Sequence, residues 1–139
     1  MPNVGASSNL DRVAVTVVTV DDQAVFRAAA RDVIEATPGF ESAGEASSCE
    51  EALEMIDRVE PHLALVDVRM PDIDGVETAM RIRDSHPEVV VVLISIEEIS
   101  GLPSTATDAG AAALVRKQDF GPSLLRELWD QHGSPAGRR

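Results

Sequence analysis

Leu63-Ala64-Leu65-Val66-Asp67-Val68-Arg69-Met70-Pro71-Asp72-Ile73-Asp74-Gly75 is the stretch from which the fold is read. Its first four residues are apolar without a break and too few for a helix, which is how a strand buried on both faces of a parallel sheet reads. Asp67 closes the run. A carboxylate at the end of a buried strand costs free energy unless a cation, a metal or water compensates it. Met70-Pro71 and Asp72-Ile73-Asp74-Gly75 then spell a turn, because proline fixes φ and glycine tolerates backbone that other residues avoid. In an open α/β sheet the ligand site lies beyond the carboxyl ends of the strands, and Asp67 sits there.

Upstream, Val13 to Val20 is rich in valine and threonine, a buried first strand that ends at Asp21-Asp22. From Gln23 to Thr37, the residues Val25, Phe26, Ala29, Ala30, Val33 and Ile34 recur at threes and fours and predict the inner face of a helix, stopped by Pro38-Gly39. Phe40 to Ala46 is a second strand. Ser47-Ser48 followed by Glu50-Glu51 reads as a helix start, with Ala52, Leu53, Met55, Ile56 and Val59 inward and Pro61 beyond the end.

Downstream, Gly75 opens a helix with Val76, Ala79, Met80 and Ile82 inward, ended by His86-Pro87. Val89 to Ile94 is an aliphatic fourth strand ending at Ser95. Gly101 and Pro103 fall where the next helix belongs, so Ile96 to Gly110 is expected to hold a short or broken one. Ala111 to Arg116 is a fifth strand leading to Lys117. Phe120 to Gln131 is a last helix packing Leu124, Leu125, Leu128 and Trp129. Residues 1–11 read as a disordered leader, 12–132 as one domain and 133–139 as a disordered tail. Strands alternating with crossovers of a dozen residues or more imply an α/β fold, a parallel sheet covered on both faces.

The 139 residues carry a net charge of −12, which argues against nucleic acid and against an anionic membrane surface. No apolar run reaches membrane-spanning length and no signal-peptide pattern opens the chain, so a cytoplasmic location is expected. The single cysteine, Cys49, has no partner for an internal disulfide and no neighbour at metal-ligand spacing, and reads as a partly buried helix residue. His62, His86 and His132 lie away from the carboxyl edge and read as structural or exposed.

Asp21 and Asp22 end the first strand, Asp67 the third, Ser95 the fourth and Lys117 the fifth, all on one edge of one sheet. Converging carboxylates repel unless a hard cation sits among them, and oxygen-only ligation suits Mg²⁺. A carboxylate nucleophile, a metal, a lysine and a hydroxyl are the parts of phosphoryl transfer. Taken singly, each also fits a plainer role: Asp21 or Asp22 capping the first helix, Ser95 capping the segment after it, Lys117 a solvated charge. Lys117 is nevertheless the single lysine among twelve cationic side chains, placed where a compact ammonium differs from a planar guanidinium.

Val20-Asp21-Asp22, Leu65-Val66-Asp67-Val68-Arg69-Met70-Pro71 with Gly75, Ser95, and Gly110-Ala111 leading to Lys117 together resemble a response-regulator receiver domain, over roughly Arg12 to Gln131. The run Asp22-Gln23-Ala24-Val25-Phe26-Arg27 resembles the subfamily that usually carries a C-terminal helix-turn-helix, and this chain reads as a stand-alone form. The resemblance implies a flavodoxin-like, doubly wound sheet of order 2-1-3-4-5. It implies that Asp67 takes a phosphoryl group from a histidine kinase, that Asp22, Asp67 and the main-chain carbonyl of Arg69 hold Mg²⁺ with Asp21 helping, and that Ser95 and Lys117 bind phosphoryl oxygens. It further implies no enzymatic activity beyond self-phosphorylation and slow dephosphorylation, output through a downstream protein, and a monomer or weak homodimer.

The chain departs from the family at Leu114, where an aromatic is common, at Ile96, where a small residue is usual, and at Gln118, where proline is common. Gly101 and Pro103 interrupt the fourth helix. An unphosphorylated receiver-like scaffold that binds partners constitutively is the alternative from another class. A phosphohydrolase would need a second aspartate two residues after Asp67, where Arg69 stands, and a Rossmann nucleotide binder would need a Gly-rich loop after the first strand.

Overall fold

The computed structural model describes residues 14–71, 73–96 and 110–133. Strands β1 (Val15–Val20), β2 (Phe40–Ala46), β3 (Leu63–Asp67), β4 (Val90–Ser95) and β5 (Ala113–Arg116) alternate with helices α1 (Ala24–Ala36), α2 (Cys49–Val59), α3 (Gly75–Ser85) and α4 (Pro122–His132). The sheet is parallel throughout, in the order β2-β1-β3-β4-β5, as the flavodoxin-like topology requires. The predicted break in a helix between Ile96 and Gly110 and the predicted leader and tail lie mostly outside the described residues.

Alternation along each strand divides the core into two layers. Ala64 and Val66 of β3, with Val18, Val20, Val91 and Leu93, pack under α2 and α3 through Ala52, Ile56, Ala79 and Ile82. Leu63 and Leu65, with Val17, Val92 and Ile94, face α1 and α4 through Ile34, Leu125, Leu128 and Trp129. Each valine, leucine or isoleucine fully removed from water contributes about 1.5–3 kcal/mol, which is why β3 carries no polar residue before Asp67.

Helix ends follow their local chemistry. Ser48 caps α2 by accepting from the Glu51 N–H at 3.2 Å, while Glu51 accepts from the Ser47 N–H and hydroxyl at 2.7 Å. The helix ends on Glu60 in left-handed backbone, φ 48°, ahead of Pro61. Asp74, read from sequence only as part of a turn, is the cap of α3 and accepts from the Glu77 N–H at 2.9 Å. Gly133 closes α4 with its N–H on the Trp129 carbonyl at 2.7 Å and is buried. Lys117–Asp119 form a 3₁₀ turn between β5 and α4 that the spacing did not predict.

The inward faces of two helices differ from expectation. Met80 is 45% exposed and Val25 84% exposed, although both continue an apolar stripe. On α3 the buried line is Gly75, Thr78, Ala79 and Ile82, so Met80 lies about 100° past it, and the turn it leaves is filled by Thr78, whose hydroxyl donates to the Asp74 carbonyl at 2.9 Å. Ala30 and Ile34 hold the α1 contact, and Val25, about 140° around the helix from the first and about 180° from the second, lies on the far side. Cys49 is buried at the first position of α2.

Gly75 begins α3 where a Cβ would stand 1.9 Å from the Asp67 carbonyl oxygen, and its N–H donates to the Val68 carbonyl at 2.8 Å. No side chain fits between the end of β3 and the start of α3. Gly75→Ala is therefore expected to destabilise the fold by about 2 kcal/mol or more, whereas Gly121→Ala, with open space around its Cβ, should cost no more than about 1 kcal/mol. Urea midpoints of the two variants check this.

Candidate functional site

Register brings the predicted residues together. Val20 pairs with Val66, Asp67 with Ile94, and Ser95 with Arg116, so Asp21, Asp67, Ser95 and Lys117 end adjacent strands side by side. Asp21, Asp67 and Ser95 are buried, Asp22 is exposed, and the Lys117 side chain is 9% exposed. One carboxylate oxygen from each of Asp21, Asp22 and Asp67 lies within 4.8 Å of the other two. The remaining candidate, Arg69, lies two residues beyond Asp67 in the loop after β3 and is exposed. Its N–H donates to Asp67 Oδ1 at 3.3 Å.

Lys117 is the counter-charge. Its Nζ stands 2.6 Å from Asp21 Oδ2 and 3.6 Å from Asp67 Oδ2, so one ammonium bridges the ends of β1 and β3. It is not a solvated charge. Asp21 is fixed from its other side: Oδ1 accepts from the Gln23 N–H at 2.8 Å, and its main-chain carbonyl accepts from Arg27 Nη1 at 2.6 Å. Arg27 is held in turn by Glu45 of β2 at 3.4 Å. The cap of α1 is Gln23, with no side-chain cap bond, so Asp22 does not serve as one.

The oxygen set fits a hard divalent cation. Asp21 Oδ2 is buried, with the Lys117 ammonium at 2.6 Å as its partner. Three carboxylates against one ammonium leave a negative excess that a divalent ion of oxygen preference would balance. Sequence reasoning did not single out Arg27 as a clamp or Phe26 as a neighbour of Lys117. Phe26 was read as a core position, and only the proximity of both to Asp21 and Asp22 in the chain could have pointed to them.

The departures fall around this centre. Ile96 is 68% exposed, Leu114 packs against the layer under α2 and α3, and Gln118 stands exposed in the 3₁₀ turn. His62 is structural: its Nδ1 accepts from the Thr16 N–H at 3.0 Å and its ring meets Trp129 edge-on. His86 pairs with Asp57 at 3.0 Å, far from the site in the fold, at the C-terminus of α3. Among the described residues, no helix is long and apolar enough to cross a membrane.

Residues 17–129 match the family described as response regulator receiver domain. The response regulator GacA of Pseudomonas viridiflava is 32% identical over 103 residues, covering 74% of this chain and 48% of that protein. The nitrate/nitrite response regulator protein NarL of Escherichia coli (strain K12) is 29% identical over 122 residues, covering 88% of this chain and 55% of that protein. The chain thus spans about half the length of these curated relatives. Among solved structures, the signal receiver domain of the putative response regulator NarL from Mycobacterium tuberculosis superposes with a TM-score of 0.77 at 30% identity, covering 85% of this chain and 95% of that one. The response regulator domain of Thermotoga maritima CheB, at 24% identity and a TM-score of 0.75, covers 84% of this chain and 95% of that one and shares the fold.

Burial pushes the Asp67 carboxyl up to about 6, aided by the Asp21 and Asp22 carboxylates and opposed by Lys117 and the Arg69 N–H. An unfolded aspartate titrates near ~3.9, so the folded state binds more protons between there and about 6, and stability falls as pH rises through that window. In metal-free protein Asp67→Asn should therefore be more stable than the wild type by about 1–3 kcal/mol at about pH 7.5, with no advantage at about pH 4. Urea unfolding in chelator at the two pH values measures this, and an advantage independent of pH would show that burial of the charge is not the cause.

Proposed function

The chain belongs to the response regulator receiver domain family, and on that premise we propose that Asp67 is its phosphoryl acceptor, in a Mg²⁺-dependent reaction with a histidine kinase, and that the phosphorylated domain signals through contacts with a downstream protein. The observation that carries this is the Lys117 ammonium set between Asp21 and Asp67, with Asp22 completing the oxygen cluster. Asp22, Asp67 and the Arg69 main-chain carbonyl, with Asp21 helping, are the groups that would hold Mg²⁺, which when bound supplies positive charge to the phosphoryl oxygens and offsets the crowded carboxylates.

An Asp67 carboxylate oxygen forms the bond to phosphorus as the bond from phosphorus to the donor breaks, and the donor keeps that electron pair: the imidazole nitrogen of a phosphohistidine, or the acyl oxygen of a small phosphodonor. Lys117 is already within reach of Asp67 and neutralises the phosphoryl oxygens delivered to it. Ser95, buried on the neighbouring strand, offers its hydroxyl to one of them. Asp21 stays in place because Gln23 and Arg27 hold its carboxylate and its carbonyl. The group transferred stays on Asp67 until water or a partner removes it, so the domain acts as a phosphoacceptor with self-phosphorylation and slow autodephosphorylation only.

Incubation with acetyl phosphate and Mg²⁺, followed by intact mass and peptide mapping, is expected to place one phosphoryl group on Asp67 and none on Asp67→Asn. Lys117→Ala should keep Mg²⁺ binding by calorimetry and lose phosphorylation about 100-fold, since the lysine serves the phosphoryl group rather than the metal. Phosphate on Asp72 or Asp74, or none on the wild type under forcing conditions, would favour the constitutive scaffold.

A further inference from the structure

Lys117 has a third neighbour besides its two carboxylates. Its Nζ lies 4.6 Å from the centroid of the Phe26 ring, in the first turn of α1. That ring is itself braced: Phe120, whose N–H closes the 3₁₀ turn on the Lys117 carbonyl at 3.1 Å, meets Phe26 at a centroid distance of 6.3 Å. Both phenylalanines pack against the layer under α1 and α4. The lysine and the loop that carries it are thus tied to α1 at two points, the ammonium on the face of the Phe26 ring and the end of its turn through the Phe120 ring, tilted 52° to that of Phe26. Position 118, directly after the lysine, is an exposed glutamine, so no proline restrains the backbone there.

The arrangement matters because the ionic contacts of Lys117 are not constant. Asp21 Oδ2 at 2.6 Å and Asp67 Oδ2 at 3.6 Å are oxygens that a cation or a phosphoryl group would engage. A ring face attracts an ammonium through its quadrupole without using a carboxylate oxygen and without titrating, and the attraction is strongest where the ammonium is shielded from water, as here at 9% exposure. An aliphatic residue at 26 would fill the space but leave the ammonium held only by oxygens that other ligands compete for.

We propose that Phe26, braced by Phe120, is a positioning residue that holds the Lys117 ammonium at the Asp21–Asp67 carboxylates. Its consequence for rate rests on the reading of Asp67 as phosphoryl acceptor, while the placement of the lysine does not. The single lysine makes this directly measurable, because protein grown with isotope-labelled lysine gives one side-chain signal.

In the wild type the Lys117 ε-methylene protons are expected upfield of their random-coil position, under the Phe26 ring. Phe26→Leu should return them toward random coil, keep Mg²⁺ affinity within about twofold, and slow phosphorylation by acetyl phosphate about tenfold. Phe26→Tyr should restore both signal and rate. Should Phe26→Leu fail to fold, incorporation of 3,4,5-trifluorophenylalanine at position 26 keeps the shape and drains the ring face, and should slow phosphorylation with an unchanged melting curve. A lysine signal unmoved by Phe26→Leu overturns the proposal, as does a wild-type rate in either the leucine or the fluorinated protein. A wild type that takes up no phosphate overturns the acceptor reading instead, and the lysine signal then decides this proposal alone.

Discussion

Two buried carboxylates at the ends of neighbouring strands, with one ammonium between them, are the constraint around which this domain is arranged. Asp21 and Asp67 are removed from water by the same packing that stabilises the sheet, and their repulsion is met by a Lys117 brought from β5. Like charges at this depth are tolerated only when paired or neutralised, so the local structure is committed to holding a cation there. Burial first, and the Asp21 and Asp22 carboxylates with it, raise the Asp67 carboxyl against the opposing pull of Lys117 and the Arg69 N–H.

Much of the surrounding structure serves that placement. Gly75 lets α3 start against the Asp67 carbonyl, and the Val68 N–H bonds to the Ile94 carbonyl at 2.8 Å, carrying the β3 to β4 ladder one residue past Asp67. Arg27 spans from the Asp21 carbonyl to Glu45, tying α1 and β2 to the end of β1. These contacts are local and short, and they leave the carboxylate oxygens facing inward together rather than spread along the edge. Preorganisation of this kind is what lets a site of few residues stabilise charge without rearranging at the moment of reaction.

The surface beyond the site is less committed. Val25 and Ile96 expose apolar side chains, Met80 does so on α3, and Leu114 is packed into the core layer under α2 and α3. A leucine at 114 has no polar tip to exchange between buried and exposed positions. Any coupling from Asp67 to a partner must then run through contacts that differ between two arrangements of the backbone rather than through an aromatic rotor at that position.

The sequence by itself determined the element order and the chemistry of the edge. Uninterrupted aliphatics in β3 and β4 announce strands buried on both sides, Pro38-Gly39 and Pro61 mark helix ends, and Asp21, Asp22, Asp67, Ser95 and Lys117 each stand at or just past the end of a strand, because periodicity, breakers and terminal charges are properties of short stretches of chain. Only the tertiary structure decided which of these meet and how. The pairing of Val20 with Val66 and of Asp67 with Ile94 sets Asp21 beside Asp67, and the 3₁₀ turn delivers Lys117 to both and onto Phe26. The exposure of Met80 and Val25 and the burial of Thr78 were likewise fixed by packing. An apolar stripe on a helix is wider than the line of contact it makes, and strand register depends on neighbours distant in sequence, so neither the rotation of a helix nor the distance between two charges is written in the residues that carry them.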